Sequence, residues 1–421
     1  MKANKKMSVA ILSLGCPRNL VDSESILGRL ASKGYIIADS VGDADIAIVN
    51  TCAFIEEAKR ESIDAILDLV ELKKEGRLKK IIVYGCLPQR YKEQLKKELP
   101  EIDAFLGKLS LNHGLQRFPI TPSHYGYLKI CEGCLNNCSF CVIPKIKGGL
   151  SSLDMESVIC RVKKFNGQRG FRELNIIGQD ISAYGMDLYA KPKLKALLKQ
   201  ILKSAPNIGW VRLLYLYPSR ISDDLLKLIR DSSRVCKYID LPIQHINERI
   251  LKLMNRNTPK RQILECIERI RKIIPGAFLR TSVITGFPSE TEGEFKELLS
   301  FLREARFQRL GAFIYSREEG TAANDFGGQL PGKIKRERLN SIMSLQQEIS
   351  LQVNKRFLGE TIKVLIDEEK QDTYLGRSQY DAPEVDGSVF VKSKKRLKPG
   401  DFVKVKITDT LEYDLVGEAI T

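Results

Sequence analysis

Ten cysteines set the chemistry open to this chain. Three of them stand in Cys134-Leu-Asn-Asn-Cys138-Ser-Phe-Cys141, separated by three residues and then by two. Thiolates at that spacing can wrap three corners of a 4Fe–4S cube and leave the fourth iron open to a ligand. Cys131 adds a fourth thiol three residues earlier, so a zinc site and a closed, ferredoxin-like cluster stand as alternatives. Zinc modules usually put about twelve or more residues between two CxxC pairs, whereas these four cysteines fall within eleven. The open-iron cluster is the preferred reading, with Cys131 a small buried residue. The three histidines (His113, His124, His245) are scattered singly. Metal here is therefore held mainly by thiolate, which favours zinc or iron–sulfur.

Three more cysteines gain meaning from the elements that carry them. Val9–Leu14, Ile46–Asn50 and Ile81–Gly85 read as strands, with helical patterns over Leu20–Lys33, Phe54–Lys73 and Gln89–Leu99. This alternation predicts a small parallel sheet with covering helices. Cys16, Cys52 and Cys86 each fall one or two residues past a strand end, where open parallel sheets place their ligand crevice. Three thiols from distant loops then converge on one sheet edge. They make sense as ligands of a second open-iron cluster, able to carry an exogenous sulfide.

Leu109–Tyr125, with Gly114, Pro119 and Pro122, reads as a linker. From Tyr127 a second strand–helix series runs through Leu174–Ile177, Val211–Tyr215, Tyr238–Leu241, Leu279–Ile284 and Leu310–Phe313. Ile221–Asp231, Arg261–Ile274 and Glu292–Ala305 are among its helices, and Lys333–Phe357 leads out as a long one. Such repeats suit a barrel or partial barrel of parallel strands. Thr361–Ile366, Tyr374–Ser378, Val389–Val391 and Phe402–Thr408 then form an all-β, OB-like tail. The expected fold is α/β in three parts: a small parallel-sheet domain (7–118), a partial TIM-like barrel (119–353) and a small β-barrel (354–421). Cys160, Cys236 and Cys266 lie inside helix or strand patterns and read as packing thiols.

The bulk composition limits the alternatives. At 421 residues, 43% hydrophobic and 29% charged, the chain fits a soluble protein of two or three domains. A net charge of +16 attracts acidic partners, nucleic acid first, or belongs to a lysine-rich solvated surface. No apolar run approaches the ~18 residues of a membrane span. Lys2, Lys5 and Lys6 precede Val9–Cys16, but this apolar run is shorter than a ~7–15-residue signal core and Pro17 follows the cysteine. A cytosolic protein is expected, and in that reducing setting cysteines imply metal or redox chemistry rather than disulfides.

The spacing of Cys134, Cys138 and Cys141, with the barrel pattern following at once, resembles the radical S-adenosylmethionine (SAM) superfamily. There the open iron takes the amino and carboxylate groups of SAM, and an electron breaks the sulfonium C–S bond. Phe140 fits as the aromatic near the adenine. Gly178-Gln179-Asp180 ends a strand where the superfamily usually has a Gly-Gly-Glu-like element near the SAM amino group. Val283-Ile-Thr-Gly-Phe-Pro-Ser-Glu290 suits backbone approach to the adenosine at Gly286, and Asp240, Gln244 and His245 sit at another strand end of the same crevice. Asp240, Gln244 and His245 could each instead be a satisfied core polar group.

The two clusters, the domain order and several words together resemble the radical SAM methylthiotransferases, nearly end to end from Val9 to Glu418. Leu14-Gly-Cys-Pro-Arg-Asn-Leu-Val-Asp-Ser-Glu24, Asn50-Thr-Cys-Ala-Phe54, Gly85-Cys-Leu87 and Cys141-Val-Ile-Pro-Lys145 look like the branch that modifies ribosomal protein uS12. Leu214-Tyr-Leu-Tyr-Pro218, Leu241-Pro-Ile-Gln-His245 and Asp381-Ala-Pro-Glu-Val-Asp-Gly387 agree, and the tail looks like a TRAM domain. The tRNA-modifying branch typically has Gln-Met after its first cysteine and Val-Pro-Tyr after the SAM cluster.

The resemblance implies two 4Fe–4S clusters, SAM and a two-stage reaction. One SAM methylates a sulfide on the cluster at Cys16, Cys52 and Cys86. A second, cleaved at Cys134, Cys138 and Cys141, gives a 5′-deoxyadenosyl radical that takes hydrogen from the β-carbon of a uS12 aspartate, and the methylthio group follows. A flavodoxin or ferredoxin would supply electrons, with uS12 free or in the small subunit. One departure is Gly148-Gly-Leu-Ser-Ser-Leu153, which lacks the family's Arg-Ser-Arg pattern; Lys145 or Lys147 would have to supply those contacts. Residues 354–421 carry twelve Lys and Arg against thirteen Asp and Glu, and a module gripping tRNA phosphates should be basic. A near-neutral module with clusters such as Asp367-Glu-Glu369 suits a basic ribosomal protein better. The five basic residues of Lys392–Lys398 are the counter-sign. Direct nucleic-acid binding is compatible with this reading but not required; the alternatives are tRNA adenosine methylthiolation and a non-enzymatic RNA-binding metalloprotein.

Overall fold

Apolar runs short enough to be strands, each followed by an amphipathic stretch, build a five-stranded parallel sheet at the N-terminus of the computed structural model. The structure describes residues 6–108 and 116–420, so the expected linker at Leu109–Tyr125 lies partly outside the described residues. The sheet consists of β1 (Ser8–Ser13), β2 (Ile36–Ile37), β3 (Ile46–Thr51), β4 (Lys80–Gly85) and β5 (Ala104–Leu106), in the order β2-β1-β3-β4-β5. Every residue of β3 is buried, as a parallel strand covered on both faces requires. Helices α1 (Pro17–Ser32), α2 (Glu56–Lys74) and α3 (Cys86–Glu98) cross between the strands. Both α1 and α3 begin three residues before the start read from the sequence. Pro17 and Pro88, which look like breakers, occupy first-turn positions where the missing N–H has no helical partner anyway.

The central series begins with β6 (Tyr125–Lys129) and a small antiparallel pair, β7 (Cys131–Glu132) and β8 (Ser151–Ser152), enclosing α4 (Ile143–Lys147). It continues through α5 (Met155–Gly167), β9 (Glu173–Ile177), α6 (Met186–Tyr189), α7 (Leu194–Ser204), β10 (Trp210–Leu213), α8 (Asp223–Asp231) and β11 (Tyr238–Asp240). Then come α9 (Glu248–Leu253), α10 (Lys260–Ile273), β12 (Phe278–Thr285), α11 (Glu292–Ala305), β13 (Arg309–Ile314) and the long α12 (Gly332–Asn354). Parallel pairing gives two three-stranded sheets, β10-β9-β6 and β11-β12-β13, linked by a parallel bridge between Val211 and Val235. The result is an open six-stranded barrel rather than a closed one.

The tail closes into a barrel of β14 (Thr361–Lys370), β15 (Thr373–Ser378), β16 (Val389–Lys392), β17 (Phe402–Thr410) and β18 (Leu415–Ala419). β18, missed from the sequence, is short and broken by Gly417 and Glu418. This module docks on the N-terminal ends of the central strands. Tyr380 stacks on Phe278 at 4.3 Å, and Phe402 meets Trp210 edge-on at 4.9 Å. Asp381 pairs with Arg309, Asp386 accepts from Tyr238 at 2.6 Å, and Glu173 takes both Arg212 and Arg377 at 2.8 and 2.7 Å. The Asp381–Gly387 word is thus a plug in the lower end of the barrel. No helix among the described residues is long and apolar enough to cross a membrane.

Candidate functional site

The strand-end cysteines are held by a polar lattice under the sheet edge. Cys16 caps α1, Cys52 follows β3, and Cys86 opens α3 directly after β4. Asn19 donates to the carbonyls of Leu14 and Thr51 at 3.0 and 3.1 Å, tying the first two loops together. Asn50 donates to Asn19 O at 2.7 Å and to Ser23 Oγ at 2.9 Å. The Thr51 hydroxyl donates to Tyr84 O at 2.8 Å and accepts from Leu87 N at 3.3 Å, fixing the third loop. Ser62 takes both backbone groups of Cys52, at 3.0 and 2.9 Å. A Cβ on Gly15 would come within 2.7 Å of the Cys52 Cβ, so the two loops touch.

Electrostatics differ across this triad. Burial works against a Cys16 thiolate, but the Arg18 charge and the amides of Arg18 and Asn19 outweigh it and hold the thiol below its usual pKa. Burial raises Cys52, helped by the nearby Cys16, and pushes Cys86 up to about 12. Thiols of this kind stay protonated until a metal binds and displaces the protons.

Cys134, Cys138 and Cys141 lie in the loop between β7 and α4, pinned by local backbone bonds. Cys134 N donates to Gly148 O at 3.3 Å, Cys141 N to Cys138 O at 3.0 Å and Ser139 N to Met254 O at 2.9 Å. Ser139 Oγ adds a bond to Leu253 O at 2.7 Å. Gly133 sits at φ +72°, and a Cβ there would strike the carbonyls of Gly148, at 2.6 Å, and Gly149. Burial raises the Cys134 thiol and pushes Cys141 up to about 12. Among the described residues, no three His, Cys, Asp or Glu side chains gather closely enough to hold one metal ion. Within each triad the thiols act on one another electrostatically. Cys131 is fully buried, and a Cβ on Gly178 would lie 2.6 Å from its Sγ.

Around the loop triad, the strand ends carry buried polar atoms that lack a partner among the described residues. Both amide atoms of Gln179, just past β9, are of this kind, as are Tyr217 Oη beyond β10 and Thr285 Oγ1 at the end of β12. Such atoms are costly to leave unpaired, about 1–3 kcal/mol each, and all lie at the C-terminal strand ends where barrels of this type hold ligands. SAM, with its amino, carboxylate and adenosine groups, fits that set. Phe140 packs with the cluster of Ile250, Met254, Phe287 and Tyr315 beside the loop.

Other expected site residues have partners within the protein. Asp180 accepts from Arg220 at 2.6 Å and from Asn136 at 3.2 Å, and Arg220 returns a bond to Asn136 at 2.9 Å. Asp240 accepts from Tyr215 N at 2.8 Å and pairs with Arg280 at 3.2 Å. Gln244 is half-buried at φ +74°, its N–H donating to Ser282 O at 2.9 Å. Gly286 N donates to Glu290 at 2.8 Å. His245 is satisfied at both nitrogens, by Glu290 at 3.0 Å and Asn247 N at 2.9 Å, which makes it a core residue. Lys147 is buried between Glu132 at 3.0 Å and Asp22 at 3.5 Å, so it cannot stand in for the missing arginines; Lys145 is exposed. Asp367 of the acidic cluster is likewise engaged, with Arg377 at 2.7 Å and His124 at 2.7 Å.

Arg18, absent from the sequence-based set, joins the two triads. Its Nη1 donates to Gly178 O at 3.0 Å, and its guanidinium lies 4.7 Å from the Tyr215 ring centre. Its charge acts on Cys16, Cys52 and Cys141. Arg256 and Arg220 enclose the Tyr217 ring at 4.3 and 4.7 Å, and Arg256 reaches Cys138 Sγ at 3.7 Å. A basic residue beside a strand-end cysteine was the only available signal for Arg18.

Comparison with known proteins follows the same three parts. Residues 8–107 match the family described as uncharacterized protein family UPF0004, residues 128–302 the radical SAM superfamily, and residues 358–420 the TRAM domain. A Clostridioides difficile protein named ribosomal protein uS12 methylthiotransferase RimO is 45% identical over 98% of this chain and 99% of its own. A Geobacter sulfurreducens protein of the same name is 44% identical over 100% of both chains. Among solved structures, the radical SAM methyltransferase TsrM of Kitasatospora setae, with cobalamin and a 4Fe-4S cluster bound, matches with a TM-score of 0.56. That match covers 84% of this chain and 76% of the other at 11% identity, a likeness of fold.

Proposed function

The chain belongs to the ribosomal protein uS12 methylthiotransferase family of radical SAM enzymes, and from that premise we propose how its two triads divide one reaction. The enzyme adds a methylthio group to the β-carbon of an aspartate of uS12. Cys134, Cys138 and Cys141 hold the 4Fe–4S cluster that binds SAM, and Cys16, Cys52 and Cys86 hold a second one. When bound, the first cluster supplies the electron that cleaves SAM, and the second carries the sulfur to be transferred.

The chain's own residues do the rest. Phe140 backs the adenine, and the unpartnered amide of Gln179, with Gly178 and Gly286, receives polar groups of SAM. Asp180, kept in place by Arg220 and Asn136, and Asp240 and Gln244 line the cofactor's side of the crevice. Functional units at 7–118, 119–353 and 354–421 assign the second cluster, SAM cleavage and substrate docking in turn. Flavodoxin or ferredoxin supplies electrons, and the reaction takes place in the cytoplasm. The observation carrying this reading is the pair of cysteine triads, bridged by Arg18, on a chain that relatives of that name match over nearly its whole length.

Deleting the gene in its host and weighing uS12 and tRNA nucleosides tests it. Loss of the methylthio mass on a uS12 aspartate is the expected result. Unchanged uS12 with lost 2-methylthio-adenosine would move the substrate to tRNA. Anaerobic reconstitution should give about eight irons per chain; zinc alone would defeat the two-cluster assignment.

A further inference from the structure

Given the proposed function, the reacting carbon has to stand between the two triads, with hydrogen leaving on the SAM side and sulfur arriving from the other. That carbon carries a carboxylate one bond away. The crevice between the triads should therefore hold a cation free to receive it. Most cations nearby are committed. Arg220 pairs with Asp180 at 2.6 Å, Arg90 with Glu318 at 2.8 Å, and Arg280 with Asp240 at 3.2 Å. Lys147 is buried between Glu132 and Asp22. Arg256 has no carboxylate partner among the described residues, but it donates to Pro242 O at 2.7 Å and lies beside Cys138 of the loop triad, with no contact to the strand-end triad among those residues.

Arg18 is different. Among the described residues no carboxylate pairs with it; its guanidinium donates to Gly178 O at 3.0 Å and also bonds the Cys16 side chain. It is half-buried and comes from the loop of one triad while its charge reaches a cysteine of the other. Tyr215, which flanks its guanidinium, is held at φ +66°, the strained backbone that tends to gather at ligand sites. A guanidinium presents five donors in a planar fork that matches a carboxylate.

We propose that Arg18 is the specificity-determining residue that binds the carboxylate of the substrate aspartate and so sets its β-carbon between the two triads. A residue that only offset thiolate charge would support the clusters equally well for any substrate. The test uses the full-length, reconstituted enzyme with uS12 and with uS12 whose target Asp is replaced by Asn. Wild type should favour the aspartate form by roughly 100-fold in kcat/KM, the scale expected when a charge-assisted contact is lost. Arg18→Gln should slow the aspartate form by a similar factor and bring the two substrates within a few-fold. Arg18→Lys keeps the charge but not the planar fork and should keep part of the preference.

The assignment is overturned if wild type shows no preference, if Arg18→Gln with full iron keeps it, or if Arg18→Lys with full iron loses it. It is also overturned if both variants lack the second cluster, which would make Arg18 a support for iron. If Arg18→Gln alone lacks iron, the preference of Arg18→Lys decides. If wild type modifies neither form of uS12, the proposed function itself fails first.

Discussion

The two cysteine triads are assembled by opposite routes. Cys134, Cys138 and Cys141 lie on eight consecutive residues, and backbone bonds within and beside their loop hold them. Cys16, Cys52 and Cys86 come from three crossovers of a parallel sheet, aligned only because β1, β3 and β4 are in register. The loop triad is a local device, whereas the strand-end triad depends on a lattice of Asn19, Asn50, Thr51 and Ser62. Damage to the loop should therefore stay local. Damage to the sheet edge should loosen three thiols together.

The largest effect comes from removing ligands. Replacing any one of Cys134, Cys138 or Cys141 with Ala should abolish SAM cleavage and product alike, measured as 5′-deoxyadenosine and methylthiolated uS12. The triple Ala variant of Cys16, Cys52 and Cys86 should keep 5′-deoxyadenosine formation, lose sulfur transfer, and retain about four irons. Product from that variant would show that the strand-end triad is not the sulfur carrier.

Next are the glycines that let each backbone pass. Gly133→Ala should cost about 2–3 kcal/mol through its left-handed φ and its clash with the 148–149 carbonyls, lowering iron at the loop triad alone. Gly15→Ala, at φ +84° and against Cys52, should lower iron at the other triad alone. Selective loss by electron paramagnetic resonance checks both; joint loss would mean that the sites fold as one unit.

A smaller effect is expected for Asn50→Ala, which removes two buried bonds and should cost about 1–3 kcal/mol. Urea midpoints would fall, and reconstitution of the strand-end cluster would slow while SAM cleavage held. The smallest effect belongs to a control away from both triads. Hydrogen bonding from Arg249, against a smaller contribution from burial, holds Glu294 at about pKa 2. Its stabilising contribution is present above the unfolded value near ~4.3 and is lost as pH falls from there through about 2. Glu294→Gln should lower stability at pH 7 by about 1 kcal/mol, with little difference from wild type near pH 2 and iron unchanged.

How much could be read ahead follows the same division. The x3, x2 spacing is local, so eight residues carried it. The strand-end triad needed only the apolar runs and the rule that crevices lie at strand ends. The starts of α1 and α3 lie three residues ahead of the helical pattern, because Pro17 and Pro88 are tolerated in a first turn. β2 left too few residues for a pattern, and in β18 Gly417 and Glu418 interrupt the apolar run. His245 and Lys147 looked available because their partners, Glu290 and Asp22, are far away in the chain. Asp367 looked partner-facing for the same reason.

By itself the sequence determined the three-part α/β order, the six cysteines and the family words, because each is written in neighbours or in a repeating pattern. Only the tertiary structure decided which charges are spent inside the fold and which are left to act. Ion pairs such as Arg220–Asp180 join residues forty apart in sequence, and no local pattern records them. That decision singles out Arg18: its partner Gly178 lies 160 residues on, and folding alone brings its charge, which no carboxylate among the described residues pairs, between the triads.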